Sequence, residues 1–312
     1  MTGGARSMTG HGAWGAVLVL AVGAAVAPML APHDPGRQFT DYPYAPPMRL
    51  HVRDASGTWH APFVYRRVLI DPLERSYAED RATRLPVFGE ANAPVFLLGA
   101  DGLGRDVLSR LLAGTRLSLG LALAAAALAL SIGLIVGAIA GYAGGMLDAV
   151  LMRVTYLVLV LRGALPLVLS TAEVFLALVL VLGLAGWPVV ARGVRGIVRV
   201  ERTQEYAEAA RALGGGPARL LLHHLAPAAR GFVVTQGMLL VPAFVMAEAT
   251  LSFVGLGFLP PAPSWGAMLQ DVGAVRVFAE APWLLAPAIA VVAAVFVIQV
   301  SAGSAHAITL SK

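Results

Sequence analysis

Apolar residues in this chain gather into long runs, separated by intervals where proline, glycine and charge concentrate. A helix crossing the hydrocarbon core of a bilayer, about 30 Å thick, needs about 20 apolar residues. Six runs approach that length: residues 14–30, 117–140, two between 147 and 190, 232–247 and 283–300. The pattern predicts an all-α membrane protein with six transmembrane helices. Arg6 ahead of the first run suits a secretory signal, but no small-residue cleavage site follows residue 30, so the run is read as a span.

The intervals differ in kind. Residues 33–97 hold eight prolines and sixteen charges, eight of each sign, which makes a turn-rich insert of no net charge. A fragment of this size builds at most a marginal core and should lean on the rest of the chain. Phe63-Val64-Tyr65 and Val68-Leu69-Ile70 are candidate strands. In LGADGLGRDVLSRLLAGTR (98–116), Gly99, Gly102 and Gly104 permit a tight turn. Val107, Leu108, Leu111 and Leu112 then recur at helical spacing, predicting a short interfacial helix with an Asp106–Arg110 ion pair. Between the last two spans, residues 252–282 read as an irregular turn, with Trp265 and Trp283 suited to an interfacial belt.

Orientation follows from arginine. Arg192, Arg195, Arg199, Arg202, Arg211, Arg219 and Arg230 fall between the fourth and fifth spans. At about 2.5 to 3.5 kcal/mol for each arginine at a helix centre, burying them in lipid would cost on the order of 20 kcal/mol. This interval is therefore cytoplasmic, which puts both termini inside and the 33–97 insert outside. The organisation expected is a tail and first span (1–31), an extracytoplasmic insert (32–97) and a core of five spans (98–312) whose cytoplasmic loop covers 199–227.

Composition agrees with this reading: 58% of residues are hydrophobic, 13% are charged and the mean hydropathy is +0.74, well outside the range of soluble domains. The net charge of +5 comes mostly from the cytoplasmic arginines and faces solvent or lipid headgroups, not nucleic acid. The absence of cysteine excludes disulfides, thiolate metal sites and cysteine nucleophiles. Lys312 is the only lysine, so the chain has no phosphate-binding loop of the G-x4-G-K-[ST] kind and is expected to be non-catalytic.

The cytoplasmic interval carries the mechanism. From Arg202 to Leu213 neither proline nor glycine interrupts a helix, and Tyr206, Ala209, Ala210 and Leu213 share one face, while Glu201, Glu205, Glu208 and Arg211 take more polar positions. Gly214, Gly215 and Gly216 end the helix and Pro217 suits the first turn of the next. Two short helices meeting at a sharp bend, with alanines that permit close approach, form a plug for a groove in a partner protein.

Glu208-Ala209-Ala210, three residues and then Gly214 resembles the EAA loop of ABC importer permeases, E-A-A-x3-G-x9-I-x-L-P. Pro227 is in register, while His224 and Ala226 stand at the Ile and Leu positions. LGADGLGRDVLSRLLAGTRLSLG (98–120), GYAGGMLDAVLMR (141–153) and AEATLSFVGLGFLPPAPSWGAML (247–269) further resemble the second permease subunit of dipeptide, oligopeptide and nickel importers. The region between Met152 and Gly186 is about ten residues shorter than in that family and contains Arg162. The tail SAGSAHAITLSK also lacks the family's usual glycine- and aspartate-containing stretch with arginine.

The resemblance implies a type I ABC importer permease fold in a bacterial inner membrane, with no cofactor. Glu205, Tyr206, Glu208, Ala209, Ala210, Leu213, Gly214 and Pro227 would couple to a cytoplasmic ATPase. Outer residues Gly102, Gly104, Asp106, Pro263 and Trp265 would meet a solute-binding protein, and a second, homologous permease would complete the channel. Gln236 and Pro242 in the fifth span, and Glu248 near its outer end, are candidates for lining the path. Glu173 is the other carboxylate near a span end; water and headgroups are expected to reach both it and Glu248. His223 and His224 face different ways on a helix and have no third ligand in register. The competing readings are a secondary carrier or channel that works without an ATPase, and a homologue that assembles without transporting.

Overall fold

The computed structural model describes residues 22–54, 57–71, 75–87, 93–160, 171–272 and 280–310. In chain order, a 3-10 turn at Ala27–Leu30 precedes strands β1 (His51–Arg53), β2 (Trp59–Asp71) and β3 (Ser76–Pro86). Helices α1 (Val107–Ala143), α2 (Gly145–Val160), α3 (Thr171–Glu201), α4 (Glu205–Ala212) and α5 (Pro217–Leu220) follow. A π-type turn at Leu221–Leu225 continues α5 into a last helical turn, Ala226–Ala228. After it come α6 (Arg230–Phe253), α7 (Trp265–Gln270) and α8 (Ala286–Leu310), the last entered through a 3-10 turn at Pro282–Leu285.

Among the described residues, four stretches are long and apolar enough to cross a membrane: α1, α3, α6 and Pro282–Val300. α2 adds 16 helical residues, and residues 161–170, with Arg162, lie outside the described part. The same holds for residues 14–21 of the first run, and for Arg276 and Lys312.

Two expectations about element boundaries change. The interfacial helix expected within 98–116 is not a separate element: its residues from Val107 onward are the first turns of α1, because no proline interrupts 107–143. The fourth span likewise runs on past residue 190 to Glu201, so Arg192, Arg195 and Arg199 occupy the closing turns of α3, where positive charge suits the helix C-terminus. The chain is also not purely helical. The insert contributes a three-stranded antiparallel sheet in the order β1-β2-β3, and β2 takes in both candidate strand runs.

The described residues divide into two compact units, one within 121–247 and 294–310 and the other within 22–120 and 248–293. Within the first, α3 packs between α1 and α6, and glycine sets the closeness. A Cβ on Gly133, Gly137 or Gly141 of α1 would lie within 3 Å of atoms of α3, and one on Gly186 or Gly193 of α3 would strike Phe244 or Phe232 of α6. Small residues every fourth position let membrane helices approach this closely.

Within the second unit, Tyr42, Ala45, Met48, Val64, Val87, Val95 and Phe96 build the core of the insert. The insert leans on the turn before α1, as its size required. Tyr44 N–H donates to Asp101 O at 2.9 Å, Ala100 N–H to Ala45 O at 2.8 Å, and His33 N–H to Ser109 Oγ at 3.0 Å.

Candidate functional site

The elbow starts where α3 ends. Gln204 is the N-cap of α4, three residues later than the helix expected from Arg202, and Leu213 closes it before Gly214, whose φ of +82° is the left-handed conformation glycine takes without strain. Pro217 then occupies the first turn of α5.

Ala207 is fully buried, packed in one cluster with Val190, Val194 and Val198 of α3, Ala138 of α1, and Leu220, Leu225 and Ala229 beyond the bend. Ala210 is half-buried on this inner side, so it supports the elbow rather than displaying itself. Glu205, Tyr206, Glu208, Ala209 and Arg211 are exposed, Leu213 is 90% exposed, and Pro227 is half-buried. Tyr206 donates its hydroxyl to Glu201 Oε2 at 2.7 Å; partial burial, together with that carboxylate, pushes the phenol up to about 12. His223 and His224 are exposed on the π-type turn.

Two contacts that sequence reasoning missed hold the end of α3 and the residue after it to α2 and α1. Arg195 Nε and Nη2 donate to the two oxygens of Asp148 in the first turn of α2, a bidentate pair. Arg202 Nη1 donates to the carbonyl of Tyr142, near the end of α1, at 2.6 Å. The available signal was Asp148, the first charge after the uncharged stretch 117–147.

In the turn before α1, Asp101 is the hub. Its Oδ1 accepts from the N–H groups of Leu103 and Arg105 at 2.9 Å, and its Oδ2 from Arg105 Nε at 2.6 Å and Arg110 Nη1 at 3.0 Å. The expected Asp106–Arg110 pair is therefore replaced. Asp106 instead caps α1 by accepting from the N–H and hydroxyl of Ser109. Asp106 is 1% exposed, Trp265 3%, and Gly104 is buried with φ +70° against the Phe39 carbonyl, while Gly102 and Pro263 are half-buried. These residues support the fold from inside and do not display a contact surface. Arg105 Nη2 reaches Asp271 at 3.6 Å, and burial, with Asp101 nearby, pushes the Asp271 carboxyl up to about 6.

Beyond α6 the chain doubles back. Val254, Gly255 and Leu256 N–H groups donate to carbonyls of Thr250, Ser252 and Leu251, Ala262 donates to Leu259, and Phe258 N–H donates to Ser252 Oγ at 3.0 Å. The same Ser252 hydroxyl donates to Glu248 Oε1 at 2.8 Å. Glu248 is fully buried, contrary to the water-reached position expected, because the returning chain covers it. Glu173 is exposed in the first turn of α3. Ser264 caps α7, Trp265 N–H meets Ser118 Oγ of α1 at 3.2 Å, and Gln270 Nε2 takes the Ser252 carbonyl at 2.7 Å and that of Phe253 at 3.1 Å. Among the remaining path candidates, Gln236 is half-buried and Pro242 buried within α6.

Comparisons with known proteins place this architecture. The chain is 35% identical over 176 residues to an oligopeptide transport system permease protein of Bacillus subtilis, covering 55% of this chain and 58% of that one. It is 32% identical over 185 residues to a glutathione transport system permease protein of Pectobacterium atrosepticum, covering 58% and 62%. With a di/tripeptide transport system permease protein of Pseudomonas aeruginosa it shares 29% identity over 270 residues, covering 86% and 75%. Residues 133–309, which include the elbow, α6 and the turn after it, match a family described as the binding-protein-dependent transport system inner membrane component. The chain belongs to that family.

Proposed function

We propose that this chain is one permease half of an ATP-driven importer of peptides or similar small solutes, coupled to a cytoplasmic ATPase through α4. The observation that carries the reading is the division of α4: Ala207 is enclosed by the chain's own helices, while Glu205, Glu208, Ala209, Arg211 and Leu213 point away from them. A helix fastened on one face and free on the other can pass a rigid-body push into the spans. Arg202, just ahead of α4, ties its base to the end of α1, and Arg195 ties the preceding α3 to α2.

In this reading six spans place both termini in the cytoplasm, the insert faces outward toward a solute-binding protein, and a second, homologous permease completes the path. ATP binding draws the coupling helices together and opens the path outward, and hydrolysis resets it, in the sense of alternating access. Gln236, half-buried on α6, lines the path, and the buried Pro242 shapes the helix behind it. Glu248 acts by holding the outer turn in place through Ser252. The relatives named for peptides and glutathione support the solute class.

The test uses Glu208→Arg and Gly214→Pro in the intact importer. Reversing a charge at a docked pair costs about 2 to 5 kcal/mol, so uptake driven by ATP should fall more than about tenfold while membrane levels of the chain hold. Unchanged uptake with both substitutions, or uptake by the chain without any ATPase, contradicts the proposal.

A further inference from the structure

A cleft of about 320 Å3 opens in the insert between residues 40–43 and residues 66–69 of β2. Its volume is that of a small-ligand site, for which the range is about 300 to 1,000 Å3. The walls are tied to each other. Arg66 Nε donates to the Tyr42 hydroxyl at 3.1 Å, the Tyr77 hydroxyl of β3 donates to the Pro43 carbonyl at 2.8 Å, and Arg67 Nη2 donates to the Pro47 carbonyl at 3.4 Å. Walls held in this way keep the cleft open before anything enters it, which lowers the ordering cost of binding.

The cleft carries two opposite charges that do not answer each other. Arg66 is exposed and spends only its Nε, on Tyr42, so both of its Nη groups have no partner among the described residues. The nearby carboxylate of β3, Asp80, is already taken by the Thr83 hydroxyl at 2.7 Å and the Ala82 N–H at 3.0 Å. Asp41 is exposed on the facing wall, within electrostatic reach of Arg66 but without forming an ion pair with it. Arg67, by contrast, is held by Glu79 at 3.4 Å and belongs to the wall.

The rest of the lining suits a peptide chain. Val68 and Leu69 offer apolar surface and Thr40 a hydroxyl. β1 covers β2 only between Trp59 and Phe63, so along residues 66–69 the backbone edge away from β3 stays unpaired among the described residues. Such an edge bonds the main chain of an extended peptide.

From these observations we infer that the cleft binds a short peptide with free ends, its carboxylate on the Arg66 fork and its ammonium on Asp41. A guanidinium with both Nη groups free meets a carboxylate through two parallel hydrogen bonds. An internal strand of a protein would bring neither terminal charge and would leave both groups unanswered. The inference rests on the cleft and not on the transport reading, which a negative result leaves standing.

The test uses the full chain in phosphatidylcholine nanodiscs, with no ATPase and no solute-binding protein present. Trialanine, trialanine amide and N-acetyl-trialanine are titrated calorimetrically. Trialanine should bind with a Kd of about 1 mM or tighter, and the amide and the acetylated form at least about tenfold more weakly, since each leaves a charged group of the cleft unmatched. Arg66→Gln should erase the preference for trialanine over its amide while keeping the preference over the acetylated form. Asp41→Asn should do the reverse. Arg66→Lys, which keeps the charge but loses the fork, should recover part of the carboxylate preference. Far-ultraviolet circular dichroism should match the parent chain in all three variants, and the comparison of the three peptides needs no substitution at all. No binding of trialanine overturns the inference, as does a preference for free ends that survives both Arg66→Gln and Asp41→Asn. Equal binding of the three peptides also overturns it, in favour of an edge that reads backbone alone.

Discussion

Replacing Gly137 with alanine tests whether the glycine seam between α1 and α3 sets the spacing of these spans. The added Cβ would sit 2.5 Å from the Ala191 carbonyl oxygen and 2.8 Å from Val194 Cβ, where carbon contacts are ordinarily about 3.5 to 4.0 Å. Backbone cannot step aside as a side-chain tip can, so the helices must part by about 1 Å, which forfeits a quarter to a half of the dispersion energy of the neighbouring contacts. Overpacking of this kind costs about 1 to 3 kcal/mol, against about 0.8 to 1.0 kcal/mol returned by the better helix propensity of alanine. Gly196, also in α3, has open space where its Cβ would stand, so Gly196→Ala keeps the propensity gain alone. The two variants should differ by about 1 to 3 kcal/mol, or roughly 5- to 150-fold in the unfolding equilibrium, with Gly137→Ala the weaker. Denaturant titration of the full chain in mixed micelles, followed by far-ultraviolet circular dichroism, reads this difference. Coincident curves, or a Gly137→Ala chain more stable than Gly196→Ala, would refute the close-packing argument.

Asp271 lies outside the spans and keeps its proton up to about pH 6, first through burial and then through Asp101, against the pull of Arg105. The folded chain thus binds this proton more tightly than the unfolded one, so its contribution to stability is present below about pH 4 and is lost as pH rises through about 6. Asp271→Asn should flatten the pH dependence of heat stability across that window; an unchanged profile would show that another group titrates there. Arg195→Gln strands the buried Asp148 carboxylate and should cost about 1 to 3 kcal/mol, whereas adding Asp148→Asn should restore most of that loss, as read by thermal unfolding of the two chains.

Much of the architecture was legible because a bilayer imposes simple demands. The apolar runs located α1, α3, α6 and α8, and the glycines at 214–216 with Pro217 located the bend, since each local preference there agrees with the final conformation. What stayed hidden depends on tertiary neighbours. The continuity of α1 with residues 107–116 could not be read from polarity, because Ser109 and Arg110 look solvent-facing until Asp106 and Asp101 are seen to take them. Glu248 was misplaced for the same reason: a carboxylate near a helix end is expected in water, and only the doubled-back chain after Phe253 covers it. In α4 the visible pattern was Tyr206, Ala209, Ala210 and Leu213, yet the anchoring residue is Ala207, whose single methyl gives no signal in hydropathy. The insert showed its strand runs, but their register follows from pairing that only the folded sheet supplies.

The enclosure of Ala207 has a consequence for recognition. Because the elbow is already locked in one shape by its own chain, a protein that receives it has little disorder to remove, and ordering a flexible segment on contact commonly consumes about 2 to 5 kcal/mol of the gross interaction. Affinity at such a joint can then stay modest and reversible while its geometry remains stiff. A linkage that must be pushed and pulled in every cycle without slipping requires that combination.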